Sequence, residues 1–366
     1  MTWARERAGY DVDELQEGYA HWESGHSAPT YLELEALADR FEVPTAVFFF
    51  PEPPESSELN LEFRALGPGA FQTLSPRMRF LMEKALYRSR NLQSLYAIGN
   101  APKRLIVHDL RISVDDSPEA LARQVRDYLD ISVEKQFEWS SRGTSAEEWR
   151  AALAKVGIMV TVLDFRHDEY RSFALYDPRF PLICVCRSEG FWSGGVVTTC
   201  HSLIHLLFHT CGLDSRDDAF LEGLDAESRQ IELLCNHASA EIVAPRLELK
   251  KVLTGQVGSR EIADITSKLA HLFGVTGKWM NNRLLKLNLV TENEHEETLM
   301  SWERRPVGGG GGLPPPPDMS LIELGEPFVR LAFECFDSGQ LDEDSLADYL
   351  ELAPQYFDDL RDLLGR

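Results

Sequence analysis

Thr199-Cys200-His201-Ser202-Leu203-Ile204-His205-Leu206-Leu207-Phe208-His209 is the stretch on which the reading of this chain turns. Its unbroken apolar neighbours predict a helix that is buried almost all round. Residues four apart on an α-helix lie one turn apart on the same face, so His201 and His205 can present two imidazoles to a single metal ion. The spacing alone does not make a site. Ten histidines in 366 residues should produce roughly 0.3 such pairs by chance, and two packed core histidines are the plainer reading of the pair by itself. Burial changes that balance, because buried imidazoles need polar partners and a metal is one economical partner.

In H-E-x-x-H peptidase helices the Glu after the first His is the general base that takes a proton from water. That position is Ser202 here. A serine hydroxyl is a far weaker proton acceptor near neutral pH, and loss of a general base typically costs about 10² to 10⁴ in rate. Metal binding can therefore survive where turnover does not. Downstream, Asp225 to Pro245 reads as a second helix ended by its proline, with Glu232, Cys235, Asn236 and Ser239 on one face. A carboxylate among small and polar residues on a face that should pack is what a third ligand opposite a histidine pair would look like.

On these residues the chain resembles the ImmA/IrrE family of zinc metallopeptidases, which pairs a His-Glu-x-x-His helix with a later Glu-x-x-x-Asn helix closed by proline. His201, His205, Glu232, Asn236 and Pro245 match that pattern, and Ser202 departs from it. Glu147-Trp149-Arg150, Val156 to Val160, Arg171 to Leu175 and Pro181 to Val185 look like the helix and strands that precede the metal helix in that family. Trp22-Glu23-Ser24-Gly25 through Pro29-Thr30 to Phe48-Phe49-Phe50-Pro51 looks like the end of an Xre-type helix-turn-helix. The resemblance implies zinc held by His201, His205 and Glu232, with Ser202 at the catalytic position. It also implies a protein substrate or partner, of the helix-turn-helix repressor kind. Edge pairing of a substrate peptide with a strand beside the cleft is a further implication of the family.

The expected fold class is α+β and mostly helical: a zincin-like metallopeptidase domain with a small sheet, flanked by helical N- and C-terminal subdomains. The expected divisions are 1–54, a shortened Xre-like helical segment; 55–135, a helical connecting region; 136–300, the metallopeptidase-like domain; 301–320, a Gly/Pro linker; and 321–366, an acidic helical subdomain. Ser75-Pro76 and Ser117-Pro118 predict capped helix starts, Thr144-Ser145 a third whose inward face is Trp149, Leu153 and Val156. Strands are expected over 158–163 and 182–186. Pro51 to Glu55, Gly308 to Gly312 and Pro314 to Pro317 read as linkers.

A formal net charge of -22, from 59 acidic and 37 basic residues, disfavours broad attraction to nucleic acid or anionic membrane. The locally basic stretch over 261–287, with Lys278, Trp279, Asn281, Asn282, Arg283 and Lys286, is the most plausible nucleic-acid surface. Only Tyr10 to His21 separates Ala8-Gly9 from Trp22, too short for a full helix-turn-helix, so packing or protein docking is the expected role of that end. Six cysteines without framework spacing point to reduced thiols and, with no run of about 18 apolar residues and no signal-peptide pattern, to a cytoplasmic protein. Cys200, Cys211 and Cys235 flank the proposed ligands, so a cysteine-containing metal site stands beside ordinary thiol packing. Three functions follow: a zinc endopeptidase acting on a transcriptional regulator, a degenerate relative that binds such a regulator without cutting it, and a DNA-binding regulator.

Overall fold

The computed structural model describes all residues except 9, 16–17, 42, 44, 50–73, 140–141, 167–168, 190–194, 255–260, 304–313 and 366. The described chain is a mostly helical α+β protein with one small mixed sheet, and it divides into two compact units, Met1–Leu86 and Tyr87–Arg366. The expected linkers at 51–55 and 308–312 lie outside the described residues.

The first unit holds α1 (Thr2–Arg7), α2 (Tyr19–Glu23), α3 (Tyr31–Phe41) and the start of α4 (Pro76–Ile98). Its core gathers Ala4, Tyr19, Leu37, Phe41 and Val43, with the Tyr19 ring set edge-on to both Trp22 and Phe41. Glu23 of the Trp-Glu dipeptide pairs with the buried Arg5. Between Ala8 and Trp22 the described chain forms only a 3-10 turn at Val12–Glu14 and the first residues of α2.

In the second unit, α4 continues to Ile98. Then come α5 (Ile106–Asp109), α6 (Pro118–Leu129), α7 (Val133–Phe137) and α8 (Arg142–Lys155). Ser75 accepts the Met78 N–H and Ser117 the Ala120 N–H, the caps anticipated for α4 and α6. Trp149, Leu153 and Val156 at the end of α8 are buried as expected, although the helix opens at Arg142 rather than Thr144. The sheet follows: β1 (Met159–Leu163), β2 (Tyr170–Leu175), β3 (Leu182–Cys186) and, after α9 (Gly195–Leu207), β4 (Gly212–Ser215). Strand order is β1-β3-β2-β4, with β1 parallel to β3 and both other pairings antiparallel. β1 and β3 are buried along their whole length, which explains continuous apolar runs where a half-exposed strand would alternate.

α9 packs on the sheet on one side and on α10 (Ala226–Val243) on the other. Asp225 caps α10 by accepting the Glu227 and Ser228 N–H groups. The other end is held by buried side chains: Arg126 of α6 donates to the Ile242 carbonyl, and Gln136 of α7 donates to those of Val243 and Phe273. These contacts satisfy helix-end carbonyls in the dry core and fix the position of α10. α11 (Arg246–Thr254), α12 (Ile262–Leu272), α13 (Gly277–Lys286) and α14 (Glu292–Glu303) complete this part.

The proline segment requires a correction. Pro316 and Pro317 are not linker but the first turn of α15 (Pro316–Leu324), where a missing N–H costs nothing. α15 lies against β1, and α16 (Glu326–Asp337), α17 (Glu343–Leu350) and α18 (Phe357–Leu364) belong to the same unit as the sheet. The boundary between the two units falls inside α4, so the expected connecting region 55–135 is not a separate body. Arg88, only 1% exposed, organises the C-terminal docking. It donates to both carboxylate oxygens of Glu351 (2.6 and 2.8 Å), to Glu323, to the Thr161 hydroxyl at 2.6 Å and to the Val162 carbonyl.

Candidate metal centre

Burial of α9 runs from Thr198 to Leu207 without a gap, so both of its histidines sit in the core. His201 and His205 are each 4% exposed, and their Nε2 atoms stand 3.1 Å apart. Glu232, on the facing side of α10 and equally buried, places Oε2 3.3 Å from His201 Nε2 and Oε1 3.2 Å from His205 Nε2. Cys235, one turn further along α10, brings its Sγ into a group with the two imidazoles in which every donor atom is within 4.8 Å of the others. His201, His205 and Cys235 thus form a buried group able to hold a metal ion.

The Glu232 spacings also fit an ion. Ligand bonds of about 2.0–2.1 Å in a tetrahedral site put donor atoms about 3.3 Å apart. The three donor separations among His201, His205 and Glu232 are 3.1, 3.2 and 3.3 Å. Glu232 meets the two imidazoles through different oxygens, one to each, and each pairwise separation is near the value a tetrahedral site requires.

Charge reinforces the arrangement. Burial alone would push the His201 imidazole down, but Asp214, Glu232 and Asn236 outweigh it and hold it above its ordinary value. Burial would push the Glu232 carboxyl up, yet His205 and His201 draw it far below the usual carboxylate range. The Glu232 carboxylate is thus shared by the two imidazoles. The Cys235 thiol is pushed well up by burial and then by the carboxylates of Glu232 and Asp214. Burial likewise pushes Cys200 up to about 12, consistent with an inert core thiol.

Ser202 is 2% exposed and its Oγ lies 2.8 Å from that of Ser172 on β2. The position where an H-E-x-x-H helix carries its base therefore holds a hydroxyl engaged with the sheet.

Two nearby residues had no role in the sequence reading. A Cβ at Gly212 would stand 2.3 Å from His205 Cγ, so β4 can pass flat against that imidazole only because residue 212 lacks a side chain. Asp214 lies opposite Ser172 in the β2–β4 register, and cross-strand partners share a face, so its carboxylate is on the side that meets α9. The register slips between Tyr170 and Ser172, and the extra residue, Arg171, donates to Asp214 Oδ1 at 3.2 Å. Only the Gly212-Leu213-Asp214 tripeptide directly after the helix could have signalled either residue, and it is too short to carry a period.

The basic stretch on α12 and α13 is consumed by structure only in part. Arg283 is buried and paired with Glu241, and Asn281 is buried with its amide donating to the His295 carbonyl. Lys278, Asn282 and Lys286 stay exposed.

Comparison with known proteins finds no matching family model, and no curated protein matches the chain. What fold and site define by themselves is a mostly helical α+β protein with a buried histidine-cysteine group that can hold a metal ion. No helix among the described residues is long and apolar enough to cross a membrane.

Proposed function

We propose that this chain is a zinc-binding protein of metallopeptidase-like build that recognises a protein regulator without hydrolysing it. The observation that carries the reading is the combination of a His201–His205–Glu232 donor set, shared between α9 and α10, with a base position on α9, Ser202, whose hydroxyl meets that of Ser172. Zinc suits two imidazoles and a carboxylate at these spacings. When bound, such an ion would tie α9 to α10, and at any position left open it would polarise a carbonyl or a water molecule. This chain's own residues would supply the rest: His201, His205 and Glu232 hold the site, while Ser202 offers no efficient proton acceptor. The resemblance to ImmA/IrrE proteins supports a helix-turn-helix repressor or a similar regulator as the partner, and the formal charge of -22 favours a basic one.

The test is zinc content together with cleavage. The zinc-loaded chain is expected to leave an unfolded protein substrate such as casein intact, and Glu232→Gln to lose the metal. Unchanged metal in Glu232→Gln would remove the ligand assignment, and casein cleavage by the zinc-loaded chain would overturn the non-hydrolytic reading.

One observation favours a second reading, a working peptidase. Asp214 presents a carboxylate from β4 on the same side as Ser172 and Ser202, and could accept the proton that residue 202 cannot. Against this, Arg171 already donates to Asp214 Oδ1 at 3.2 Å and holds that carboxylate on the sheet. Cleavage abolished by Asp214→Asn with zinc retained would favour this second reading.

A further inference from the structure

We propose that Cys235 closes the metal centre as a fourth ligand, so that the ion sits in a two-histidine, glutamate and thiolate shell with no position left for substrate. The inference rests on the metal-binding reading above and adds to it how the site is filled. Glu232 and Cys235 are three residues apart on α10 and therefore face the same way. Cys235 Sγ already lies within 4.8 Å of the imidazole donors of His201 and His205. For bonds of about 2.3 Å to sulfur and about 2.0–2.1 Å to nitrogen, a tetrahedral shell separates the two atoms by about 3.5 Å. Bringing Cys235 Sγ from 4.8 Å to that separation from the imidazole nitrogens needs an adjustment of about 1.3 Å at most, within reach of a χ1 change.

Charge and access point the same way. A dication held by two imidazoles and one carboxylate keeps a net positive charge, which is expensive in a core where His201, His205 and Glu232 are each 4% exposed. Asp214 offsets part of that charge, but its carboxylate is shared with Arg171. Binding through Cys235 completes the balance: the S–H proton is carried off by the water that the incoming ion sheds as the sulfur–metal bond forms, and two anionic ligands then balance the ion. Cys235 is itself fully buried, so this position opens to no solvent. A catalytic site keeps one ligand position open, whereas a closed four-ligand shell is the pattern of a structural one. Thiolate in the shell also selects zinc over magnesium or calcium.

Cobalt(II) tests this on the full chain, since a thiolate bound to cobalt gives an intense charge-transfer absorption in the near ultraviolet that nitrogen and oxygen ligands do not. The expected result is one cobalt per chain with that band, and loss of the band in both Cys235→Ser and Cys235→Ala. Both variants should keep the cobalt while losing at least about tenfold in affinity by chelator competition, because even outer-sphere partners of a ligand cost 10- to 100-fold. Far-ultraviolet circular dichroism confirms that the variants are folded. One bound cobalt with no band, and with affinity unchanged in both variants, would overturn the closed shell and leave the metal site standing. Failure of the wild-type chain to bind cobalt or zinc would overturn the metal reading itself, and this inference with it.

Discussion

The hydroxyls of Ser172 and Ser202 meet at 2.8 Å across the layer between β2 and α9. This contact joins the sheet to the metal helix at the residue where the chain departs from a peptidase motif. Both side chains are buried.

Ser202→Glu is therefore expected to destabilise the protein by roughly 1–3 kcal/mol, the usual cost of overpacking a filled core. Thermal denaturation measures it. Ser172→Gly combined with Ser202→Glu should recover part of the loss by making space. A single variant as stable as the parent would show that residue 202 is not confined as described.

Gly212→Ala should act on metal affinity through His205. The added methyl would stand 2.3 Å from the ring, so either the imidazole or β4 must move. Chelator competition should show weaker zinc binding than in the parent, whereas Gly223→Ala, where a Cβ meets nothing within 4 Å, should leave it unchanged. Equal affinity in the two variants would contradict the contact.

Arg88→Met removes the guanidinium shared by Glu323, Glu351 and Thr161. Losing one partner of a buried ion pair typically costs about 3–5 kcal/mol. The loss should appear first as release of α15 to α18, read by limited proteolysis after α14 while the sheet stays protected. Unaltered proteolysis would mean that the apolar packing of these helices holds them without the ion pairs.

What was legible in the sequence was local. The His201–His205 spacing, the caps at Ser75, Ser117 and Asp225, and the one-sided placement of Glu232 and Cys235 all follow from helical period and capping chemistry within about ten residues. The mostly helical α+β class followed from adding these elements together. The remainder depends on contacts between distant residues. Arg88 reaches partners 235 and 263 positions away, and no period links them. The need for glycine at 212 exists only because β4 folds back onto His205, and the slip at Arg171 exists only in the pairing of two strands. The basic character of α13 was visible, but not that Glu241, 42 residues upstream of Arg283, would bury and neutralise it. The prolines before α15 read as linker because proline-rich composition suits an extended spacer as well as a helix start, and packing against β1 decides between them.

The central claim is that α9 and α10 hold a metal ion, and elemental analysis of the full chain purified without added metal tests it most directly, beside His201→Ala. The account predicts close to one zinc per chain, lost in the variant while the fold persists by circular dichroism. Protein that is folded but metal-free, and that takes up no zinc on titration, would contradict it.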